Sequence, residues 1–224
     1  ITNEAQSGWR DEWQAWREWR AAVEQLGVLV FQFPKVELTD VRGLSLLRFP
    51  LPVVGVNSKE QPESRNYTLL HEVIHLMLAS GHEETSALHE KRSGSEWETI
   101  ERFAEEAASH ALVPEDVLRE RERQRHRLGR LRASGFMSWQ EYNTWKQSWQ
   151  EFVATLPKRS GGFAHPVDVA LGRNGRPYVQ LVLEALAANR ITSVDAARHL
   201  ALKFEHFDKL KTTLKGGPSG AVID

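Results

Sequence analysis

The run Asn66-Tyr67-Thr68-Leu69-Leu70-His71-Glu72-Val73-Ile74-His75-Leu76-Met77-Leu78 constrains this chain more than any other stretch. No Gly or Pro interrupts residues 66–80, and Gly81-His82 supplies a stop, so the spacing predicts a helix. Leu69, Leu70, Val73, Ile74, Leu76, Met77 and Leu78 make that helix apolar nearly all round, which is the pattern of a buried helix. Yet it carries two histidines and a carboxylate, and buried polar groups need partners. His71 and His75 stand four residues apart and project from one face, a turn apart. Two neutral imidazoles so placed can share one zinc ion, and Glu72 beside them is positioned to deprotonate a water activated there. The bland alternative, two surface histidines flanking a solvated Glu, conflicts with the apolar flanks.

A catalytic zinc takes a third protein ligand and keeps a fourth position for water. His82, His89, Glu101, Glu105 and His110 are the downstream candidates. The extended metzincin pattern would require Gly at 78 and His at 81, where this chain has Leu78 and Gly81. A Glu from a second helix is the other route. Residues 97–112 lack Gly and Pro, and Ile100, Phe103, Ala104, Ala107, Ala108, Ala111 and Leu112 follow helical spacing. Glu101, Glu105 and Ala108 share one face with Ala104 beside them, and small residues there allow a close approach to another helix. Spacing alone does not separate Glu101 from Glu105.

At this point the sequence resembles the ImmA/IrrE family of zinc peptidases. The resemblance runs from Gly27-Val28-Leu29-Val30-Phe31 through Val41-Arg42-Gly43-Leu44-Ser45 and Leu51-Pro52-Val53-Val54-Gly55-Val56-Asn57-Ser58. It continues through the His71-Glu72-x-x-His75 run to Ile100-Glu101-Arg102-Phe103-Ala104-Glu105-Glu106-Ala107-Ala108 and Leu112-Val113-Pro114. It implies His71, His75 and Glu101 as metal ligands and Glu72 as general base, with Glu105, a departure from the family pattern, as the runner-up ligand. The family usually has Asn where this chain has Glu105. The resemblance also implies regulatory proteolysis in the cytoplasm, of a helix-turn-helix repressor or an antitoxin partner, in stress responses or toxin-antitoxin pairs. His/His/Glu donors suit Mn2+ and Fe2+ as well as Zn2+.

The chain has 224 residues, no cysteine and a formal net charge of −1. Absent cysteine excludes disulfides, thiol catalysis and Cys-based zinc sites, and a balanced charge gives no global field for nucleic acid. No apolar run reaches the ~18–20 residues of a membrane span. The expected fold class is α+β: a mostly helical zincin-like core with a small β-sheet of about three strands, plus a C-terminal helix-turn-helix-like unit. Residues 1–157 form the expected peptidase domain, with its catalytic core at about 25–120 and a helical extension at 121–157. Residues 158–224 form the C-terminal unit.

Within these, Trp9, Trp13 and Trp16 predict one face of an N-terminal helix ending near Gly27. Strands are expected at 28–33, 43–49 and 53–57, the middle one offering an edge to an extended substrate. Ser138 with Glu141 reads as a capping box, and 157–162 as a linker. Helices are expected at 179–188, 194–200 and 205–214, the last two joined by a tight turn. The 158–224 tail has ten basic and six acidic residues. That excess is small for DNA binding, so a helical cap or a protein-recognition module is preferred.

Overall fold

A computed structural model describes residues 1–79, 86–87, 95–113 and 164–216, with positions 138, 140, 144 and 147. The chain divides into two compact units, Ile1–Ala108 with Phe163–Asp224, and Ser109–Gly162. The expected capping box at Ser138 and the linker at 157–162 lie wholly or mostly outside the described residues, as does the expected boundary at 157–158.

The fold is α+β. Helix α1 is Asn3–Ser7 and α2 is Glu12–Gln25. Strands β1 (Leu29–Phe33), β2 (Gly43–Leu46) and β3 (Val53–Asn57) precede the long helix α3 (Pro62–Ala79). A two-residue strand β4 (Ser86–Ala87) and helix α4 (Ser95–Leu112) follow. The sheet order is β1-β3-β2-β4, with β1 parallel to β3 and β2 antiparallel to both of its neighbours. The fourth strand, too short to leave a hydrophobic pattern, adds to the three expected. It pairs with Ser45 and Leu46, so β2 is not an open edge along its whole length.

Asp11 ends the N-terminal turn and starts α2 by accepting from the Gln14 amide at 2.6 Å. Trp9 therefore lies before the helix instead of on its face, and it reaches the core as an edge-to-face partner of Trp19, 6.4 Å between rings. Trp16, Trp19 and Val23 are buried from α2, while α3 buries Leu69, Leu70, Val73 and Leu76. Between α2 and α3 sits Arg65, its guanidinium over the Trp13 ring at 5.1 Å. It donates to the carbonyls of Glu60 at 2.8 Å and Ser58 at 2.5 Å and to Gln32 Oε1 at 2.9 Å. Those bonds fix the turn that launches α3 from β3.

The tail contributes α5 (Pro166–Asn174), α6 (Arg176–Ala187), α7 (Ser193–Leu200), a 3-10 turn (Phe204–His206) and α8 (Phe207–Lys215). Helix α5 is additional to the expected set; Pro166 opens it, as Pro does at first helical positions. These helices have a core of their own, including Val167, Val179, Ala196, Leu200, Phe207 and Leu210. Thr192 and Asp195 form a capping box on α7, and Ala201 closes it in the left-handed region at φ 48°. The 3-10 turn leads into α8, which buries Phe207 and Leu210 in this core. Arg20 joins α5 to the sheet: buried, it donates to Glu24 at 2.9 Å, to the Gly172 carbonyl at 2.5 Å and to the Val30 carbonyl at 2.5 Å. Gly175, at φ +79°, packs where a Cβ would stand 2.4 Å from Glu24 Oε1 and 2.8 Å from Arg20 Nη2.

Candidate metal centre

Helix α3 carries His71 and His75 into the interior on one face, and α4 brings Glu101 against them. His75 is buried, His71 and Glu101 partly so. The two histidine Nε2 atoms are 3.0 Å apart. Glu101 Oε2 lies 3.4 Å from His71 Nε2, and its Oε1 lies 3.2 Å from His75 Nε2. Tetrahedral zinc with bonds near 2.05 Å separates its ligand atoms by ~3.3 Å. His71, His75 and Glu101, from two helices, each offer one donor atom within 4.8 Å of the others, close enough together to hold one ion.

Of the other candidates, Glu105 lies one turn beyond Glu101 and is not in this group. His110 is exposed near the end of α4. His82 and His89 fall outside the described residues.

Glu72 is only 2% exposed. It stands one turn past Thr68, and both press on β2 at Gly43. A Cβ there would lie 2.5 Å from Thr68 Cγ2, 2.8 Å from Glu72 Oε1 and 2.9 Å from Glu72 Cγ. Such distances exclude a side chain at position 43 without displacing Glu72. The glycine is therefore required by close approach of strand to helix.

Two rings position the histidines. Tyr67, one turn before His71, stacks on it at 6.1 Å between centroids and 26° between planes. Trp97, one turn before Glu101, stacks on His75 at 5.5 Å and 12°. Neither ring, nor Gly43, was identified from sequence as part of the site. The signal for the rings was present as i, i+4 spacing from a ligand; the close approach at Gly43 has no local signature.

A cavity of about 610 Å³ opens at this group. Its described lining includes the loop and strand residues 38–44, with Glu60, Ser64, Tyr67, Thr68, His71, Glu72, Glu101 and Glu105. Glu60 is buried in this lining, accepting from Thr68 Oγ1 at 2.8 Å and Arg42 Nη1 at 3.3 Å. Burial raises its pKa above the ordinary carboxylate value, opposed by the Thr68 and Arg42 contacts. Chemically, the arrangement joins a nitrogen–oxygen donor set, a buried carboxylate one residue from a ligand, and a groove beside both.

No curated protein and no solved structure gives a significant match to the chain. A protein-family model does match, over residues 23–144, and its description is the IrrE N-terminal-like domain. That span holds both histidines, Glu72, Glu101 and the cavity, and it covers more than half of the sequence. The chain belongs to the Peptidase_M78 family.

Proposed function

We propose that this protein is a zinc-dependent endopeptidase that carries out regulatory proteolysis on a protein partner, a helix-turn-helix repressor or an antitoxin. The observation that carries the reading is the convergence of His71, His75 and Glu101, one donor atom each within 4.8 Å of one another, with Glu72 buried beside them. A structural zinc would leave Glu72 without a task, and a three-ligand site is open, not closed.

When bound, zinc supplies Lewis acidity toward the scissile carbonyl and acidifies water; manganese or iron would suit the same donors. Glu72 takes the proton from the attacking water and delivers it to the leaving amine. Its burial keeps that carboxylate in one position, with Gly43 allowing β2 to close over it. An extended substrate can lie along Gly43 and Leu44, which line the cavity and precede the two β2 residues that β4 pairs. Main-chain bonds to such a strand hold a peptide independently of its sequence.

The test is co-expression with candidate repressors or antitoxins encoded nearby. Wild type is expected to cleave one of them at a single bond, and Glu72→Gln to leave it intact while keeping the fold. A second reading has support in the α7–α8 pair joined at Ala201: a regulator that binds a repressor or DNA without cleaving it. Under that reading Glu72→Gln retains full regulation.

A further inference from the structure

A single side chain holds the loop that lines the cavity beside the metal centre. Strand β3 lies between β1 and β2, and its last residue, Asn57, pairs with Phe33, where β1 ends. The chain leaves β1 at Phe33 and enters β2 at Gly43, so both ends of the connecting segment 34–42 start beside Asn57. From Leu38 to Leu44 every residue lines the cavity. Yet no residue from 34 to 42 is buried, so apolar burial does little to fix the segment.

Asn57 supplies what packing does not. It is 0% exposed. Its Nδ2 donates to the carbonyls of Val36 at 3.0 Å and Val41 at 2.9 Å, and its Oδ1 accepts from the Lys59 amide at 3.0 Å. Its own amide donates to the Arg42 carbonyl at 2.8 Å. The two N–H groups of one side-chain amide thus close residues 36–41 into a ring, the closed-end geometry of a compact surface loop. Inside the ring the amides of Asp40 and Val41 donate to the Glu37 carbonyl at 3.1 and 3.2 Å. A carboxylate of the same shape has no N–H to give and would face the two carbonyls with an oxygen. The other tie, Lys59 to Glu37, is a partly exposed ion pair, a kind that contributes little. Asn57 is not in the described lining of the cavity. Resting on the peptidase reading above, we propose that Asn57 is a positioning residue for the reaction: by clasping 36–41 it sets the surface of the cleft on which the substrate backbone is seated.

The experiment compares two metal-directed probes on the zinc-loaded full chain by titration calorimetry. Acetohydroxamate engages the metal alone, and N-acetyl-tetraalanine hydroxamate adds a peptide backbone for the cleft. Wild type is expected to bind the peptidyl probe about tenfold tighter or more, and Asn57→Asp to lose about tenfold of that gain with acetohydroxamate affinity and zinc content unchanged. In the same variant, hydrogen exchange at Asp40 and Val41 should quicken, while Lys59 keeps its protection because its acceptor oxygen remains. Thr39→Gly with Asp40→Gly, both exposed, loosens the loop through backbone freedom alone. It should lower the peptidyl gain in the same direction, and it decides the matter if Asn57→Asp does not fold. A gain that survives Asn57→Asp, an equal loss for both probes, or no gain in wild type would overturn the proposal. Peptide cleavage is scored separately: its absence in wild type would count against the peptidase reading, and the probe ratio would still decide the role of Asn57.

Discussion

At the residue scale, Gly43 and Glu60 show how closely the site's surroundings are set by single side chains. Gly43→Ala places a methyl within 3 Å of both Thr68 and Glu72. The expected cost is about 1–3 kcal/mol of stability, as for other overpacked interiors, with proteolysis lost more completely than stability because Glu72 is one of the two groups displaced. Chemical denaturation beside a cleavage assay checks both parts; activity at the wild-type level would contradict the packing argument. For Glu60, burial raises the folded-state pKa, so the folded protein binds this proton more tightly than the unfolded chain does. The stability it contributes is complete below the ordinary carboxylate range and declines as pH rises through the raised value. Glu60→Gln should therefore gain on wild type across that interval, and unfolding midpoints at a series of pH values would reveal it; a difference independent of pH would refute it. Both positions also mark how far sequence reading reached. His71, Glu72 and His75 are legible because ligand chemistry imposes residue type and i, i+4 spacing of the two histidines, whereas Glu101 is set ahead of Glu105 only by the family resemblance. Gly43 is not legible, because its constraint comes from a helix some 25 positions away in sequence.

At the element scale, the amphipathic and apolar periodicities located α2, α3, α4, β2 and β3 to within a few residues. The failures were physical. Trp9 has helical spacing from Trp13, but Asp11 is the better N-cap and the helix starts after it. Strand β4 has two residues and no pattern to read. Helix α5 is short, and its docking depends on Arg20, whose position on a Trp-rich helix suggests a solvated cation. In fact Arg20 is buried, its pKa lowered by that burial against the pull of Glu24. It connects α2, β1 and the last turn of α5 through three bonds. Removing it by Arg20→Ala leaves the buried Glu24 carboxylate and two carbonyls without their shared donor, and about 3–5 kcal/mol should be lost. Hydrogen exchange is the discriminating measurement: protection in α5 and β1 should fall before that in α3. Uniform loss, or none, would mean that Arg20 does not join these elements.

At the scale of the whole molecule, fold class followed from pattern, whereas the arrangement of long-range partners did not. The expected α+β class is what the chain adopts, and no helix among the described residues is long and apolar enough to cross a membrane. The tail helices have their own core yet dock on β1 through Gly172, accepting from both Arg20 and Gln32. A bound ion would tie α3 to α4, because its donors come from both helices. Zinc at one hundred times its dissociation constant should stabilise the fold by about 2.7 kcal/mol, and chelation should lower the melting temperature accordingly. A chelator without effect on melting would remove the link between the ion and the fold.

The central claim is that His71, His75 and Glu101 hold a catalytic metal that Glu72 serves without binding. Metal content by elemental mass spectrometry, on protein purified without a metal-affinity tag, tests it most directly. Wild type and Glu72→Gln are predicted to carry about one zinc per chain, and His75→Ala to lose it. Absence of metal from all three, even after zinc is added back, would contradict the account.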